Sequence, residues 1–336
     1  KSDVAEKKLC ASATLCLICK GEINMPIPSA SDFIDINHLL TQEERLTRDE
    51  VKKFVQKEFM PLIEECYENA IFPLDLIPQL GKLGLFGMKI DGYECPGGSN
   101  VLYGLVCQEL ERGDSGLRSL VSVQTSLVMY PIFTFGSEEQ KTRWLPAMAK
   151  GEKVGCFGLT EPDIGSDPGS MKTWAKKDGS DWVINGSKMW ITNGSIADVA
   201  IVWAQTDEGI RGFLVEKGTK GMTVGHEEDK MGLRASPTCQ LIFEDMRIPK
   251  ENLLGEGGRG WEIVLQSLTE TRILVAAMAL GIAQGAMEAA VKYAKQRKQF
   301  GRSIADFQGV SFMLADMAIQ IECARALIYQ VASLID

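Results

Sequence analysis

The feature that most restricts what this chain can fold into is a change of rhythm part-way along it. Between residues 153 and 258 come short β-branched or aromatic stretches, VGCFGL, DWVI, KMWIT, VAIVWAQ, RGFLVEK and CQLIFEDMRI, separated by turn residues. No helical spacing intervenes, so βαβ units are ruled out and an antiparallel barrel or sandwich is predicted. Asn185-Gly186, between the second and third stretches, predicts a tight hairpin, because both residues tolerate positive φ.

On either side the spacing is helical. Val51, Phe54, Val55, Phe59, Leu62, Ile63 and Cys66 recur every three or four residues, behind a capping-box pair, Thr41 and Glu44. Further helices fit 74–86, 100–112 and 115–134, and Ser137 with Gln140 opens another that Gly151 closes. Two long helices follow the run GEGGRG. In the last, Phe307, Val310, Leu314, Met317, Ile321, Ala324, Ile328, Val331 and Ile335 alternate steps of three and four, a heptad seam suited to a bundle. A chain of 336 residues exceeds one comfortable core. The expected fold class is multidomain α and β: a tail over 1–30, a helical domain over 31–152, a β-domain over 153–258 and a helical bundle over 259–336. Two bundle helices where four are usual read as a bundle truncated at Asp336.

Composition excludes several functions. A net charge of −9 argues against a general nucleic-acid binder. Nine scattered cysteines suit a reducing compartment, with most thiols acting as small buried hydrophobes, and the lone Cys16/Cys19 pair is a weak metal or redox signal. No apolar run approaches the roughly 20 residues of a membrane span. Two histidines, His38 and His226, leave little material for a triad or a metal site, so no metal is expected; His226 reads as a solvated loop residue. GEGGRG matches G-x-G-x-x-G in letters, but Pro249, Lys250, Glu251 and Asn252 part it from the preceding strand and no parallel strand follows, so it reads as an interdomain turn.

Three stretches carry chemistry. In CFGLTEPDIGSD, Thr160 and Ser166 offer hydroxyls, Gly165 opens the backbone to a ligand and Pro162 stiffens the loop. In SKMWITNG, Trp190 and Thr192 sit two apart on a strand, so an indole and a hydroxyl share a face suited to a flat heteroaromatic ring. RKQFGRSIADFQ gathers Arg297, Lys298 and Arg302 between two helices, where arginines could grip a pyrophosphate.

In this order and spacing the three stretches resemble the acyl-CoA dehydrogenase family, over nearly the whole chain from about Phe33 to Asp336. The resemblance implies a helical domain, a β-domain and a helical bundle with FAD between them. It implies that Phe157, Leu159, Thr160 and Ser166, then Trp190, Ile191 and Thr192, line the flavin. Arg297, Phe300 and Gln308 would reach the FAD of a neighbouring subunit in a homo-oligomer, a tetramer or dimer, and Ser166 and Arg272 would touch the acyl-CoA.

ERGDSGLRSLVSVQTSLVMYPI looks like the glutaryl-CoA dehydrogenases, in which an Arg and the next Ser hold the substrate's distal carboxylate; here these are Arg118 and Ser119. The alternative for Arg118 is an internal pair with Glu111 or Asp114. EDKMGLRASPTCQLIFEDMRIPKENLLGEGGRGW looks closer to the butyryl-CoA type. The implied reaction is α,β-dehydrogenation of a short-chain acyl-CoA, glutaryl-CoA first, with loss of CO2 to crotonyl-CoA an open possibility and electrons passing to an electron-transfer flavoprotein. An acyl-CoA oxidase and a non-catalytic FAD- or CoA-binding relative are the alternatives. The usual catalytic Glu would lie beyond Asp336. Some members carry it at the position of Thr271, and Glu270 is a weak substitute, turned about 100° around the helix. The implied compartment is bacterial cytoplasm or mitochondrial matrix.

Overall fold

The capping box at Thr41 forms as expected. Thr41 Oγ1 accepts from Glu44 N at 3.2 Å, and Glu44 returns a carboxylate to Thr41 N at 2.9 Å. It opens α1 (Gln42–Phe54), which runs through a π-helical turn at Val55–Phe59 and is followed by α2 (Ile63–Asn69) and α3 (Ile77–Lys82). The computed structural model describes residues 35–255 and 259–336. The tail over 1–30, with Cys16 and Cys19, and the centre of GEGGRG lie outside the described residues.

The helical domain is built around α4 (Asn100–Gly113), in which every side chain from Val101 to Glu111 is buried. Asp114 caps α5 (Ser115–Ser122), which continues through a π-helical stretch at Val123–Met129 into α6 (Tyr130–Phe135). The second expected capping box, Ser137 with Gln140, opens α7 (Glu138–Ala149).

The β-domain is one eight-stranded sheet: β1 (Gly155–Gly158), β2 (Trp174–Asp178), β3 (Asp181–Thr192), β4 (Val199–Thr206), β5 (Gly209–Glu216), β6 (Met222–Glu227), β7 (Thr238–Ile248) and β8 (Leu253–Leu254). The strand order is β8-β5-β4-β2-β3-β7-β6, with β1 on β4. Two expectations are corrected here. The sheet is mixed, because β1 pairs parallel to β4; the excursion over 159–173 supplies the return path that a parallel pair needs. Asn185-Gly186 makes no hairpin, since β3 runs through it. It faces a bulge in β7, where Asn185 Oδ1 accepts from Asp245 N at 2.8 Å and Asp245 has φ 45°. A Cβ at Gly186 would lie 2.6 Å from Thr173 Oγ1. The Gly there answers a close approach rather than a turn. His226, expected in a loop, is exposed on edge strand β6.

Beyond the sheet lie α8 (Gly260–Glu270), α9 (Arg272–Gln296) and α10 (Gln308–Ile335). The buried stripe of α10 is Ala315, Ala318, Glu322, Arg325, Tyr329 and Ala332, also stepping by three and four; of the expected seam only Ile321 is buried, and Ala324, Val331 and Ile335 are exposed. The stripe mixes three alanines with Glu322, Arg325 and Tyr329, and Leu314, Met317 and Ile328 are partly buried beside it. Gly281 of α9 sits against α4, where a Cβ would lie 2.5 Å from Gln108 O. Tyr329 Oη donates to Gln108 Oε1 at 2.5 Å, so the first and last helical parts share one interior. Two helical segments here, Gly260–Gln296 and Gln308–Ile335, are long and apolar enough to cross a membrane, a test of length and composition that core helices of a bundle also pass. They contain no unbroken apolar run of that length, because polar and charged residues such as Gln284, Asp316 and Glu322 interrupt the runs.

Candidate functional site

The Leu159–Thr173 loop leaves β1 where that strand is tied to the helical domain. Gln124, on the π-helical stretch after α5, accepts from Gly155 N at 2.8 Å and donates to Lys153 O at 2.7 Å. From there Phe157 is half-buried, Leu159 buried and Thr160 half-buried, while Gly165 and Ser166 are exposed. A Cβ built on Gly165 meets nothing within 4 Å, so the loop is open on that side.

The end of β3 lies against this loop, with Met189 N donating to Thr160 O at 2.8 Å. Trp190 follows on a bulge, 58% exposed and at φ 56°. A bulky residue in the left-handed region, with its ring in solvent, is held there at a cost that sites of function commonly carry. Ile191 is buried and Thr192 half-buried, and the bulge between Lys188 and Ile191 interrupts the alternation from which a shared face for Trp190 and Thr192 was expected. The hydroxyls of Thr160, Ser166 and Thr192 hydrogen-bond no protein atom among the described residues. An exposed indole at the end of β3 thus adjoins, through the Met189–Thr160 bond, a loop with open backbone and with hydroxyls that no described residue bonds.

Beneath it lies a pair that the sequence analysis left unassigned. Lys188 is 0% exposed, its stem against Gly158, where a Cβ would lie 3.3 Å from Lys188 Cγ. Its ammonium donates to Leu159 O at 3.1 Å and to Glu161 Oε1 at 2.8 Å. Glu161, 4% exposed, also accepts from Lys172 N at 2.6 Å and Thr173 N at 2.9 Å. Burial lowers the Lys188 pKa to about 8, against the pull of Glu161. Burial would raise Glu161, but its bonds to Lys188, Thr173 and Lys172 outweigh that and hold it below the usual carboxylate range. A signal for Lys188 was present: it falls on the inward face of β3 with Trp182 and Ile184.

Arg118 is 7% exposed. Its Nε donates to Glu111 and its Nη1 to Ser122 Oγ at 3.0 Å, which leaves Nη2 outside both bonds. The internal pair with Glu111 therefore exists, and Ser119 stands half-buried beside it. Glu270, at the end of α8, is bonded by Lys89 of the helical domain, a partner the sequence did not suggest. Tyr130 is close by, its phenol pushed up by burial and then by Glu270. Thr271 donates to Leu268 O at 2.7 Å, and Arg272 is exposed without an ion pair among the described residues.

Arg297, Phe300 and Gln308 are not brought to this surface. They surround a small hairpin, Lys298–Gln299 with Arg302–Ser303, that packs on the ends of α9 and α10, and no described hydrogen bond joins it to the β-domain. Phe300 is 93% exposed at φ 52°, and the Arg302 guanidinium lies 4.1 Å from the Phe307 ring centre.

Comparison with known proteins fits this arrangement. Residues 41–152, 156–246 and 258–336 match the family models for the acyl-CoA dehydrogenase N-terminal, middle and C-terminal domains. The chain belongs to the acyl-CoA dehydrogenase family. It is 44% identical over 303 residues to the short-chain specific acyl-CoA dehydrogenase of Clostridium acetobutylicum, covering 88% of this chain and 79% of that protein. A glutaryl-CoA dehydrogenase from Mycobacterium smegmatis, solved in complex with FADH2, is 44% identical with a TM-score of 0.89, covering 92% of this chain and 80% of that one. A chain of the structure described as the electron transferring flavoprotein of Acidaminococcus fermentans is 45% identical with a TM-score of 0.85, covering 88% and 79%. As an acyl-CoA dehydrogenase, the chain is a flavin-dependent oxidoreductase with a helical, a β and a second helical domain.

Proposed function

We propose that this acyl-CoA dehydrogenase binds FAD against the Leu159–Thr173 loop and the end of β3, and that it dehydrogenates glutaryl-CoA. The donor set fits the cofactor. A flavin ring offers carbonyl and nitrogen acceptors to the free hydroxyls of Thr160, Ser166 and Thr192, and a π-face to Trp190. Phe157, Leu159 and Ile191 provide the apolar wall. When bound, FAD supplies the acceptor for a hydride from the β-carbon of the acyl chain. Ser166 and Arg272, both exposed, stand ready for the thioester and its CoA. Glu270, already bonded by Lys89, is poorly placed to take the α-proton. Replacing Thr160 with alanine removes one ring contact worth about 0.5–1.5 kcal/mol. FAD binding, followed by flavin fluorescence, is expected to weaken about three- to tenfold; unaltered binding would count against this surface.

The observation that carries the substrate reading is Arg118, a buried guanidinium beside Ser119 with one nitrogen outside its protein bonds. A substrate carboxylate is the partner that would use it, and a plain acyl chain would leave it idle. The neighbour solved with FADH2 is a glutaryl-CoA dehydrogenase. A second reading, a butyryl-type substrate, is favoured by the Glu111 pair, which already neutralises Arg118, and by the short-chain relative. Anaerobic titration decides between them: glutaryl-CoA should bleach the flavin band faster than butyryl-CoA, and the reverse order would select the second reading. Electrons would pass to an electron-transfer flavoprotein, in bacterial cytoplasm or mitochondrial matrix. The exposed Arg297, Phe300 and Gln308, remote from the chain's own loop, suit contact with the FAD of a neighbouring subunit in a homo-oligomer.

A further inference from the structure

Lys188 is fully buried and Glu161 nearly so, and their side chains bond the backbone of the loop, the Met171 sulfur within it and one another. The ammonium has three protons to place. Leu159 O and Glu161 Oε1 take two, and Met171 Sδ stands 3.9 Å away. Leu159 immediately precedes Thr160. Glu161 follows it, and exchanges backbone hydrogen bonds with Ile164 at 3.0 and 3.1 Å to close the turn that leads into Gly165 and Ser166. One buried cation therefore fixes the chain on both sides of Thr160, and through the carboxylate it also fixes the far end of the loop at Lys172 and Thr173. No other charged side chain reaches Lys188 among the described residues. Lys172 and Asp163 pair with each other at the exposed rim, 3.3 Å apart.

A pair serving the fold alone is replaceable by apolar side chains with little loss, and often with a gain. This one is aimed at a loop with little apolar packing of its own, half of it in solvent. We propose that Lys188 is a positioning residue for the cofactor: its ammonium, bonded to Leu159 O and Glu161, holds the Leu159–Thr173 loop in the shape that presents Thr160 and Ser166 to FAD. The inference rests on the placement of FAD given above. Ser166, placed at the thioester as well, sits on the same loop, so cofactor affinity should fall first and acyl-CoA binding with it, whereas Arg272, on α9, is untouched.

The test is Lys188→Met in the full chain, with Thr160→Ala as companion, read by the FAD dissociation constant, the fine structure of the visible flavin band and far-UV circular dichroism. The expected result is an FAD dissociation constant raised at least tenfold and a blurred flavin band, with the β-sheet signal intact. Where Lys188→Met alone fails to fold, Lys188→Met/Glu161→Gln, which strands no buried charge, takes its place with the same expectation. A folded variant of either kind that binds FAD with wild-type affinity and spectrum overturns the positioning role. If Thr160→Ala weakens FAD while Lys188→Met does not, the cofactor placement stands and the inference falls. If neither has any effect, both fall together.

Discussion

Replacing Arg118 with alanine is expected to erase the preference for glutaryl-CoA over butyryl-CoA. The guanidinium is buried, so a carboxylate that reaches it exchanges water for a desolvated cation. Losing one partner of such a pair costs about 2–5 kcal/mol. In kcat/KM that is about thirtyfold to several thousandfold for glutaryl-CoA, with little change for butyryl-CoA. The replacement has a second effect to be separated from the first. The Glu111 side chain is 0% exposed and would be left as an unpaired buried charge, at about 3–5 kcal/mol of stability. Arg118→Ala/Glu111→Gln removes that charge and should recover much of the stability while leaving the substrate preference lost. A folded variant that keeps the wild-type ratio of the two substrates would end the carboxylate reading.

The second large effect concerns packing. Gly281 lies where α9 crosses α4, and a Cβ there would sit 2.5 Å from Gln108 O and 2.9 Å from Glu111 Cβ. The first of these is backbone inside a buried helix, so it cannot yield by changing a rotamer. Gly281→Ala should cost about 1–3 kcal/mol through overpacking, despite alanine's better helix propensity. Gly309, early in α10, is the control, because a Cβ there meets nothing within 4 Å. Gly309→Ala should stay within about 0.5 kcal/mol of wild type. Thermal or urea unfolding of the two variants compares them directly, and equal midpoints would contradict the close crossing. Since Glu111 is one of the two groups pressed upon, Gly281→Ala should also disturb the Arg118 pair.

Local signals were the most legible part of the sequence. The boxes at Thr41/Glu44 and Ser137/Gln140 were readable because each is a reciprocal pair within four residues, and both form. The three-part division followed from a switch between two periodicities. Asn185-Gly186 misled because the same residue types serve turns and bulges, and only the partner strand, with its own extra residue at Asp245, decides which. The buried line of α10 misled in another way: apolar character was taken as the mark of burial, whereas Glu322, Arg325 and Tyr329 are buried on it beside Ala315, Ala318 and Ala332. Of the candidate site, Thr160 and Trp190 could be read because both lie in dense motifs. Lys89 with Glu270 and Gln124 with Gly155 could not, because those partners are far apart in the chain. Lys188 had a legible signal, a cation on the inward face of a strand, but its bond to Leu159 O could not be read from the sequence.

The bond between Tyr329 and Gln108 joins residues 221 positions apart, and the whole eight-stranded sheet lies between them. In architectural terms the sheet is an insertion into a single helical body, whose interior is assembled from Val101, Leu105, Leu280, Met287, Ile321 and Tyr329. A chain emerging from the ribosome cannot close that interior until α10 has appeared. α4 must therefore wait, with one flank open, while the sheet is synthesised, and the entropy of closing so long a loop is met late. The order of synthesis thus lets the sheet finish before the helical body into which it is inserted.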